Sequence, residues 1–419
     1  MARAVFLLTV FMPKYKTIQK ISDLERQYVA EFLDTQFRIV PGSNMCERLE
    51  SAFAKRFESA FAIAHTNGTA TLHSCLAAIG IGPGDEVIVP PLTMSATTIA
   101  VLHQNAIPIF ADVDPRTFQI DPESIRKLIT PRTKAIITVA LYGLSPDMDP
   151  IMEMARANGI VVIEDDAQCF LGTYKGKLVG TIGDMASFSF QRTKHLTSGE
   201  GGMVIVNNKD YADRIRQFTT LGYGMFSGKN FQLKKTDLQN PDYDRHVSLG
   251  WNYQMPKLCA AVALGQTERL DELVAQRVAI AEAMQKVIAP YAWLVPQYIP
   301  ENCTSSYWSF VARLDHPKVS WHEFRDYFGS VGGDGIYAAW KLTYMEPFFQ
   351  QMTLGGREVF LRPPYHQGVP QVYAPGLCPV AERLQPKLFQ FKTNYFDVER
   401  IEKQLVALRK TCVHFDALA

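Results

Sequence analysis

The feature that most restricts the fold is a regular alternation of β-branched runs and helix-like stretches between residues 55 and 208. The apolar runs predict strands at Glu86–Val89, Ile107–Val113, Ala135–Ala140, Ile160–Ile163, Met185–Phe190 and Met203–Val206. Helical spacing between them predicts helices at Ala70–Ile79, Thr97–His103, Pro122–Leu128, Pro150–Ala157 and Tyr211–Phe218. Because such an order needs crossover connections, we expect an α/β fold with a mostly parallel central sheet flanked by helices.

The rest of the chain predicts a smaller α/β unit. Residues 224–250 are rich in Gly, Lys, Asp and Asn, which indicates a long exposed loop. Pro256–Val287 predicts one long helix or two joined helices, and Val398–Lys410 a final amphipathic helix. Trp308–Leu314 and Glu382–Leu388 predict short strands. We therefore expect an N-terminal extension with a first helix over residues 1–30, a large domain over 31–270 and a small C-terminal domain over 271–419.

Charge and cysteine content restrict the partners and the compartment. The formal net charge of +1 over 419 residues argues against nucleic acid or an anionic membrane as a partner. The seven cysteines form no CxxC pair, which favours reduced thiols in a cytoplasmic protein. The apolar start, Ala2–Phe11, is short for a membrane span and is interpreted as an extension before Met12, with a signal-like segment as the alternative.

Lys194 is the candidate reactive amine. It follows a predicted strand and precedes Gly199-Glu-Gly-Gly202, whose glycines permit a close backbone approach. The carboxyl ends of strands in open α/β sheets are where ligands bind. The alternative for an isolated lysine before a loop is a solvated surface charge.

Two further segments have a composition suited to ligand binding. The apolar run that begins at Gly159 ends in three acids, Glu164, Asp165 and Asp166, so either one of them faces a cation or all three are solvated turn residues. The segment His65-Thr-Asn-Gly-Thr-Ala70 precedes a predicted helix, whose free amides can hold a phosphate. Lysine, carboxylate and phosphate cradle are the groups that pyridoxal 5'-phosphate requires of a protein.

Six motifs carry a resemblance to a known family. They are Asn67-Gly-Thr-Ala70, Asp85-Glu-Val-Ile-Val-Pro-Pro91, Glu164-Asp-Asp-Ala-Gln168, Ser187-Phe-Ser-Phe190 with a lysine four residues on, Gly199-Glu-Gly-Gly202 and Leu249-Gly-Trp-Asn-Tyr253. The sequence resembles the DegT/DnrJ/EryC1/StrS family of sugar aminotransferases from about residue 25 to the C-terminus. This resemblance implies the type I fold of aspartate aminotransferase, with the cofactor pyridoxal 5'-phosphate in the large domain.

The resemblance also implies roles for single residues. Lys194 matches the Schiff-base lysine and is the expected catalytic residue, Asp165 matches the acid bonded to the pyridine nitrogen, and Gln168 lies near the cofactor's hydroxyl edge. Three residues match the phosphate ligands: Thr69, Ala70 and Ser189. Asn252 matches an asparagine that reaches the phosphate from the other subunit, which implies a homodimer with shared active sites.

Three positions depart from the family pattern. Met94 stands where many relatives stack an aromatic residue on the cofactor ring, and a thioether can pack there too. Gln254 stands where relatives usually carry arginine, which puts an anionic contact in doubt. Gly332–Trp340 is unusual and predicts either an altered substrate pocket or an ordinary turn before a core aromatic residue.

The expected activity is the transfer of an amino group from glutamate to a keto sugar in lipopolysaccharide or O-antigen biosynthesis. The substrate is expected to be a nucleotide-linked keto-deoxyhexose or an eight-carbon keto-sugar acid (giving an 8-amino-3,8-dideoxy-octulosonate). The alternatives are a sugar dehydratase, in which histidine replaces the lysine in the family, and a non-catalytic regulator on the same fold. The histidines lack metal-ligand spacing. His195 is not expected to be catalytic, because adjacent residues on a strand or helix point apart, and a proton carrier is the alternative. The basic run Lys229–Lys235 is interpreted as a solvated loop, with contact to a substrate anion as the alternative.

Overall fold

The computed structural model describes residues 14–38, 40–224, 236, 239–351, 353–354, 357–358 and 373–418. The predictions for Ala2–Phe11, Met12 and Lys229–Lys235 lie outside these residues. The division of the chain at residues 30 and 270 stays a prediction.

The first half of the chain builds a central sheet. The strands in chain order are β1 (Phe61–His65), β2 (Glu86–Val89), β3 (Ile107–Phe110), β4 (Thr133–Val139), β5 (Val161–Asp165), β6 (Thr173–Tyr174), β7 (Lys177–Leu178), β8 (Met185–Ser189) and β9 (Gly202–Val206). Within the described chain, the central sheet has seven strands in the order β1-β9-β8-β5-β4-β2-β3. The pairings from β8 through β5, β4 and β2 to β3 are parallel, and β9 pairs antiparallel with both β8 and β1. The predicted mostly parallel sheet is therefore confirmed.

Helices alternate with these strands. They are α1 (Asp23–Asp34), α2 (Met45–Arg56), α3 (Gly68–Ala78), α4 (Ala96–His103), α5 (Pro122–Leu128), α6 (Met148–Asn158) and α7 (Lys209–Thr219). Successive side chains of β2 enter different apolar clusters, since Val87 packs with α3 and Ile88 packs with α6. Because neighbouring residues of a strand point to opposite faces, the sheet is covered on both sides, as predicted.

The second half of the chain builds a smaller sheet. The strands of this half, in chain order, are β10 (Leu294–Pro296), β11 (Cys303–Thr304), β12 (Ser309–Leu314), β13 (Ile336–Ala338), β14 (Thr353–Leu354), β15 (Arg357–Glu358) and β16 (Leu388–Lys392). Four of them form the smaller sheet, in the order β10-β12-β16-β13, and β14 pairs with β15. β11 instead joins β6 and β7. The helices of this half are Lys257–Glu268, Leu270–Ile288, Trp321–Ser330, Pro347–Gln351, Pro379–Leu384 and Val398–Asp416. Short 3-10 turns occur at Leu141–Gly143, Thr343–Met345 and Gln385–Lys387.

The second half of the chain differs from its sequence prediction at one of two places. Pro256–Val287 forms two helices, which meet at Arg269. The predicted strand at Glu382–Leu388 was wrong, because Pro379 begins a helix there and the strand β16 starts only at Leu388. Among the helices that the structure describes, none is long and apolar enough to cross a membrane.

Candidate active site

The predicted site residues converge at the carboxyl ends of β5 and β8. Asp165 is the last residue of β5 and is paired in register with Ser187 on β8. Ser189 ends β8, and an added Cβ on Gly68 at the start of α3 would lie 2.8 Å from the Cβ of Ser189. The acid, the serine and the helix N-terminus therefore meet at one edge of the sheet, where open α/β folds bind ligands.

Asp165 is a buried acid with oriented oxygens. Its Oδ2 accepts a hydrogen bond of 2.7 Å from Thr97 Oγ1, and its Oδ1 accepts one of 3.3 Å from the Ala167 amide. Burial raises the pKa of Asp165, while these hydrogen bonds and the nearby Lys194 amine lower it. A buried carboxylate that lacks a full countercharge is suited to receive a protonated ring nitrogen.

Lys194 lies in a turn that follows β8. Its amide donates to the carbonyl of Gln191 at 2.9 Å, and the amine Nζ lies 4.9 Å from the centroid of the Trp308 ring. Burial lowers the pKa of Lys194 to about 8, with the charges of Asp165 and Glu200 acting in the opposite direction and that of Arg277 in the same direction. The amine is therefore much closer to its neutral, nucleophilic form at neutral pH than a solvated lysine.

The start of α3 forms an anion cradle. Asn67 caps the helix, because its Oδ1 accepts the Ala70 amide at 2.8 Å, and its carbonyl accepts the Thr71 amide at 3.2 Å. The amides of Gly68 and Thr69 have no acceptor among the described residues, which leaves two donors for an anion at the positive end of the helix dipole. The Ala70 amide is already engaged, so the predicted role of Ala70 at the phosphate stays a prediction.

The cradle depends on two glycines. A Cβ on Gly68 would clash with the side chain of Ser189, as described above, and one on Gly202 would lie 2.8 Å from the backbone of Asn67. These approaches are closer than real Cβ contacts allow. The Gly199-Glu-Gly-Gly202 motif therefore lets β9 pass directly beneath the start of α3.

Gln168, Met94 and Asn252 take different positions around this centre. Gln168 is buried, and its Oε1 accepts a hydrogen bond of 3.0 Å from the Tyr142 backbone amide. This bond orients the Gln168 side chain with its NH2 group pointing away from Tyr142. Met94 is 51% exposed and lies one turn before Thr97, the residue that binds Asp165. Asn252 is exposed beside Trp251, which places it outward from this chain. The predicted cofactor roles of these residues stay predictions.

Three residues next to Lys194 and Asp165 were not predicted from the sequence as site residues. Thr97 binds Asp165, Trp308 faces the Lys194 amine, and Arg277 donates to the carbonyl of Lys194 at 2.7 Å. Thr97 could have been proposed from the sequence, because it carries a hydroxyl three residues after the candidate Met94. The contacts of Trp308 and Arg277 come from distant parts of the chain. The buried His195 binds the Ser306 carbonyl at 2.9 Å, in line with a structural role.

The unusual segment Gly332–Trp340 reaches this site. Trp340 stacks on Trp308 with ring centroids 5.7 Å apart and an interplanar angle of 28°. Trp308 in turn covers the Lys194 amine, as described above. The segment therefore connects to the wall of the site through a pair of stacked indoles.

These residues fit pyridoxal 5'-phosphate. The two free amides of α3 and the hydroxyl of Ser189 suit the phosphate, Asp165 suits the ring nitrogen, and the Lys194 amine suits the aldehyde. An added Cβ on Gly68 would lie 3.2 Å from Oγ of Ser189, so the glycine lets this hydroxyl approach the two free amides. The donor set thus contains each group that this cofactor requires.

Comparisons with known proteins give the same result. The profile of the DegT/DnrJ/EryC1/StrS aminotransferase family matches residues 19–387. A GDP-perosamine synthase of Caulobacter vibrioides is 40% identical over 298 residues, which cover 69% of this chain and 74% of that protein. The spore coat polysaccharide biosynthesis protein SpsC of Bacillus subtilis is 36% identical over 65% of this chain and 71% of its own.

Solved structures agree with these relatives. The X-ray structure of an aminotransferase from Psychrobacter cryohalolentis superposes with a TM-score of 0.81 at 28% identity, covering 96% of this chain and all of the other. With the profile match over most of its length, the chain belongs to the DegT/DnrJ/EryC1/StrS aminotransferase family and is a pyridoxal-phosphate-dependent sugar aminotransferase.

Proposed function

We propose that this chain transfers an amino group from glutamate to a nucleotide-linked keto-deoxyhexose that is destined for a cell-surface polysaccharide, with Lys194 as the catalytic residue. The observation that carries the proposal is the placement of a buried amine, with its pKa lowered to about 8, beside the buried carboxylate of Asp165. An amine of this kind can both hold an aldehyde and move protons near neutral pH.

Each residue has one task in this account. Pyridoxal phosphate, when bound, supplies an electron sink for the bond that breaks at the substrate carbon. Asp165 would keep the ring nitrogen protonated, and Thr97 orients Asp165 by donating a hydrogen bond to its Oδ2. Lys194 would hold the cofactor through its aldehyde and, once its amine is free, would move the proton at the substrate carbon. The reaction with the keto sugar runs the same steps in reverse, which predicts ping-pong kinetics.

The relatives support a nucleotide sugar as acceptor. Several similar proteins are named GDP-perosamine synthase, from Caulobacter vibrioides, Escherichia coli O157:H7 and Vibrio cholerae, at 40%, 38% and 32% identity. The eight-carbon keto-sugar acid is the second candidate, and only the unusual segment Gly332–Trp340 favours it. Since Trp340 is stacked on Trp308 beside the amine, a changed segment here would alter the substrate pocket.

A sugar dehydratase and a non-catalytic regulator are the rival functions. The family's dehydratases replace the lysine with histidine, whereas this chain places a lysine at position 194. A regulator would not need a buried amine opposite a buried acid, because both groups are costly to bury. The retained amine and acid therefore favour transamination.

We further propose that the enzyme acts as a homodimer in the cytoplasm. Leu249 is 89% exposed and Trp251 is 51% exposed, in the segment that contains Asn252. Large apolar side chains exposed in a row are typical of a surface that a partner covers. All seven cysteines are free thiols, which suits a reducing compartment.

The test is incubation with glutamate and a panel of keto sugars. The panel includes GDP-4-keto-6-deoxymannose and an eight-carbon keto-sugar acid, with the Lys194→Ala variant as the control. We expect an amino sugar and 2-oxoglutarate in equal amounts with the unchanged chain and neither product with the variant. A deoxy sugar in place of an amino sugar would establish the dehydratase, and full activity of Lys194→Ala would overturn the proposal.

A further inference from the structure

Arg277 is a buried arginine, and its hydrogen-bond acceptors in the described part of the chain are all neutral. It lies in the helix Leu270–Ile288 and is 3% exposed. Its Nη1 donates to the Trp308 carbonyl at 2.8 Å and to Thr393 Oγ1 at 3.4 Å. Its Nη2 donates to the carbonyls of Thr193 and Lys194 at 2.8 and 2.7 Å. Burying a cation costs free energy, and the neutral acceptors provide no opposite charge among the described residues to offset that cost.

The guanidinium joins the two segments that border the Lys194 amine. One segment is the turn after β8, which contributes the Thr193 and Lys194 carbonyls. The other is the residue directly before β12, Trp308, which contributes its carbonyl. Trp308 also donates from Nε1 to the Thr193 carbonyl at 3.1 Å. Its ring lies 4.9 Å from the Lys194 Nζ. The planar guanidinium therefore fixes the backbone of Lys194 relative to Trp308, whose indole ring faces the Lys194 amine.

We infer that Arg277 is a positioning residue, which fixes the main chain of Lys194 against Trp308 and so sets where the Lys194 amine lies. Its charge also acts on that amine. The inference rests on the proposed function, because it concerns the lysine that the proposal makes catalytic. Arg277 itself touches only main chain and one hydroxyl in these contacts, so it acts through Lys194.

The charges around Lys194 set the direction of the effect. Asp165 and Glu200 favour the protonated amine, whereas burial, the largest cause, and Arg277 favour the neutral amine. Arg277 also lowers the pKa values of Lys20 and Lys392, which carry further positive charge near it. Loss of the guanidinium would leave the two acids opposed by burial alone, so the pKa of Lys194 would rise.

The test measures the acidity of the Lys194 amine in the full-length chain after removal of the cofactor. Trace acetic anhydride, which acylates only neutral amines, is applied across a pH series, and the Lys194 peptide is quantified by mass spectrometry. The unchanged chain should show a midpoint near pH 8, where the pKa of Lys194 lies. Arg277→Gln should move that midpoint upward by about one pH unit, as expected for a lost neighbouring charge.

Two further variants separate charge from packing. Arg277→Lys keeps the charge but loses the planar guanidinium, so it should keep the midpoint while lowering kcat about tenfold with little change in KM. Arg269→Gln is the matched control directly before the same helix, because Arg269 is paired with Glu25 at 2.8 Å and with Glu272 at 3.2 Å. It should lower stability and leave the Lys194 midpoint unchanged. Circular dichroism confirms that each variant is folded.

The outcomes are distinct. Equal midpoints for Arg277→Gln and the unchanged chain would overturn the inference, as would an equal shift in Arg269→Gln. If Arg277→Gln does not fold, a normal midpoint with unchanged kcat in Arg277→Lys would overturn it instead. A shifted midpoint in a chain that aminates no keto sugar would refute the proposed function and leave the role of Arg277 standing.

Discussion

Thr97 donates a hydrogen bond of 2.7 Å to Oδ2 of Asp165, which ties the first turn of α4 to the end of β5. This hydrogen bond opposes burial, since burial raises the pKa of Asp165 and the threonine lowers it. Thr97 thus helps to keep ionised the acid that the proposed reaction requires beside the ring nitrogen.

Replacing Thr97 with valine should weaken cofactor binding. The variant loses a hydrogen bond to a charged group, worth about 1.5–3 kcal/mol, so the Kd for pyridoxal phosphate should rise about tenfold to a hundredfold. Absorbance titration of the apoprotein measures the Kd. The matched control is Thr98→Val, because the Thr98 hydroxyl is buried without a partner among the described residues. Equal Kd values for the two variants would contradict the role of Thr97.

Replacing Gly68 with alanine should disrupt the anion cradle. The new Cβ would lie 2.8 Å from the Cβ of Ser189, which forces the start of α3 away from β8. Overpacking of this kind costs about 1–3 kcal/mol, and the displaced amides should bind inorganic phosphate and the cofactor more weakly. Urea unfolding and cofactor titration measure both effects. Gly82→Ala is the control, since its Cβ would meet nothing within 4 Å; similar losses in both variants would contradict the cradle.

Replacing Lys194 with methionine should stabilise the apoprotein in a pH-dependent way. Burial lowers the pKa of Lys194 from 10.5 to about 8. Below pH 8 the amine is charged in both states, and folding moves this charge from solvent into the protein interior, which costs free energy. This cost is fully present below pH 8 and disappears as the pH approaches 10.5, because the unfolded chain then also loses its proton. The stability advantage of Lys194→Met in urea unfolding should therefore shrink across that interval. An advantage that does not change with pH would contradict the lowered pKa.

Replacing Leu249 with lysine should dissociate the proposed dimer. Leu249 is 89% exposed in the single chain, next to the segment of Asn252. A charge placed in a covered apolar surface costs more than one in solvent, so the variant should sediment as a monomer and lose cofactor affinity. Val413→Lys is the control, because Val413 is 57% exposed on the last helix and lies outside this surface. A monomeric unchanged chain would contradict the dimer. A Leu249→Lys variant that still sediments as a dimer would contradict the placement of Leu249 in the interface.

Local sequence was sufficient where an element carries its own boundaries. Pro122–Leu128 was predicted with the bounds it has, because Asp121 caps the Glu123 amide at 3.1 Å and Pro122 fits the first turn. Glu86–Val89 was equally clear as a short apolar run. The prediction missed β1, Phe61–His65, whose alternating alanines have low β propensity and which pairs antiparallel with the distant strand β9.

The site residues were likewise predictable only where the local sequence marks them. Lys194 and Asp165 could be found because Asp165 ends one apolar strand and Lys194 follows another. The parallel register then brings the two strand ends together. Arg277 and Trp308 could not be found, since the contacts that define them come from positions 83 and 115 residues away from the lysine turn. Such partners are created by packing and have no local pattern in the sequence.

Reduction of the cofactor-loaded protein with borohydride tests the central claim most directly. Reduction makes the bond between cofactor and lysine permanent, and peptide mass spectrometry then locates it. The account predicts one equivalent of pyridoxyl phosphate on the peptide that contains Lys194, and none after Arg or Ala replaces that lysine. Label on another lysine, or a protein that takes up no label, would contradict it.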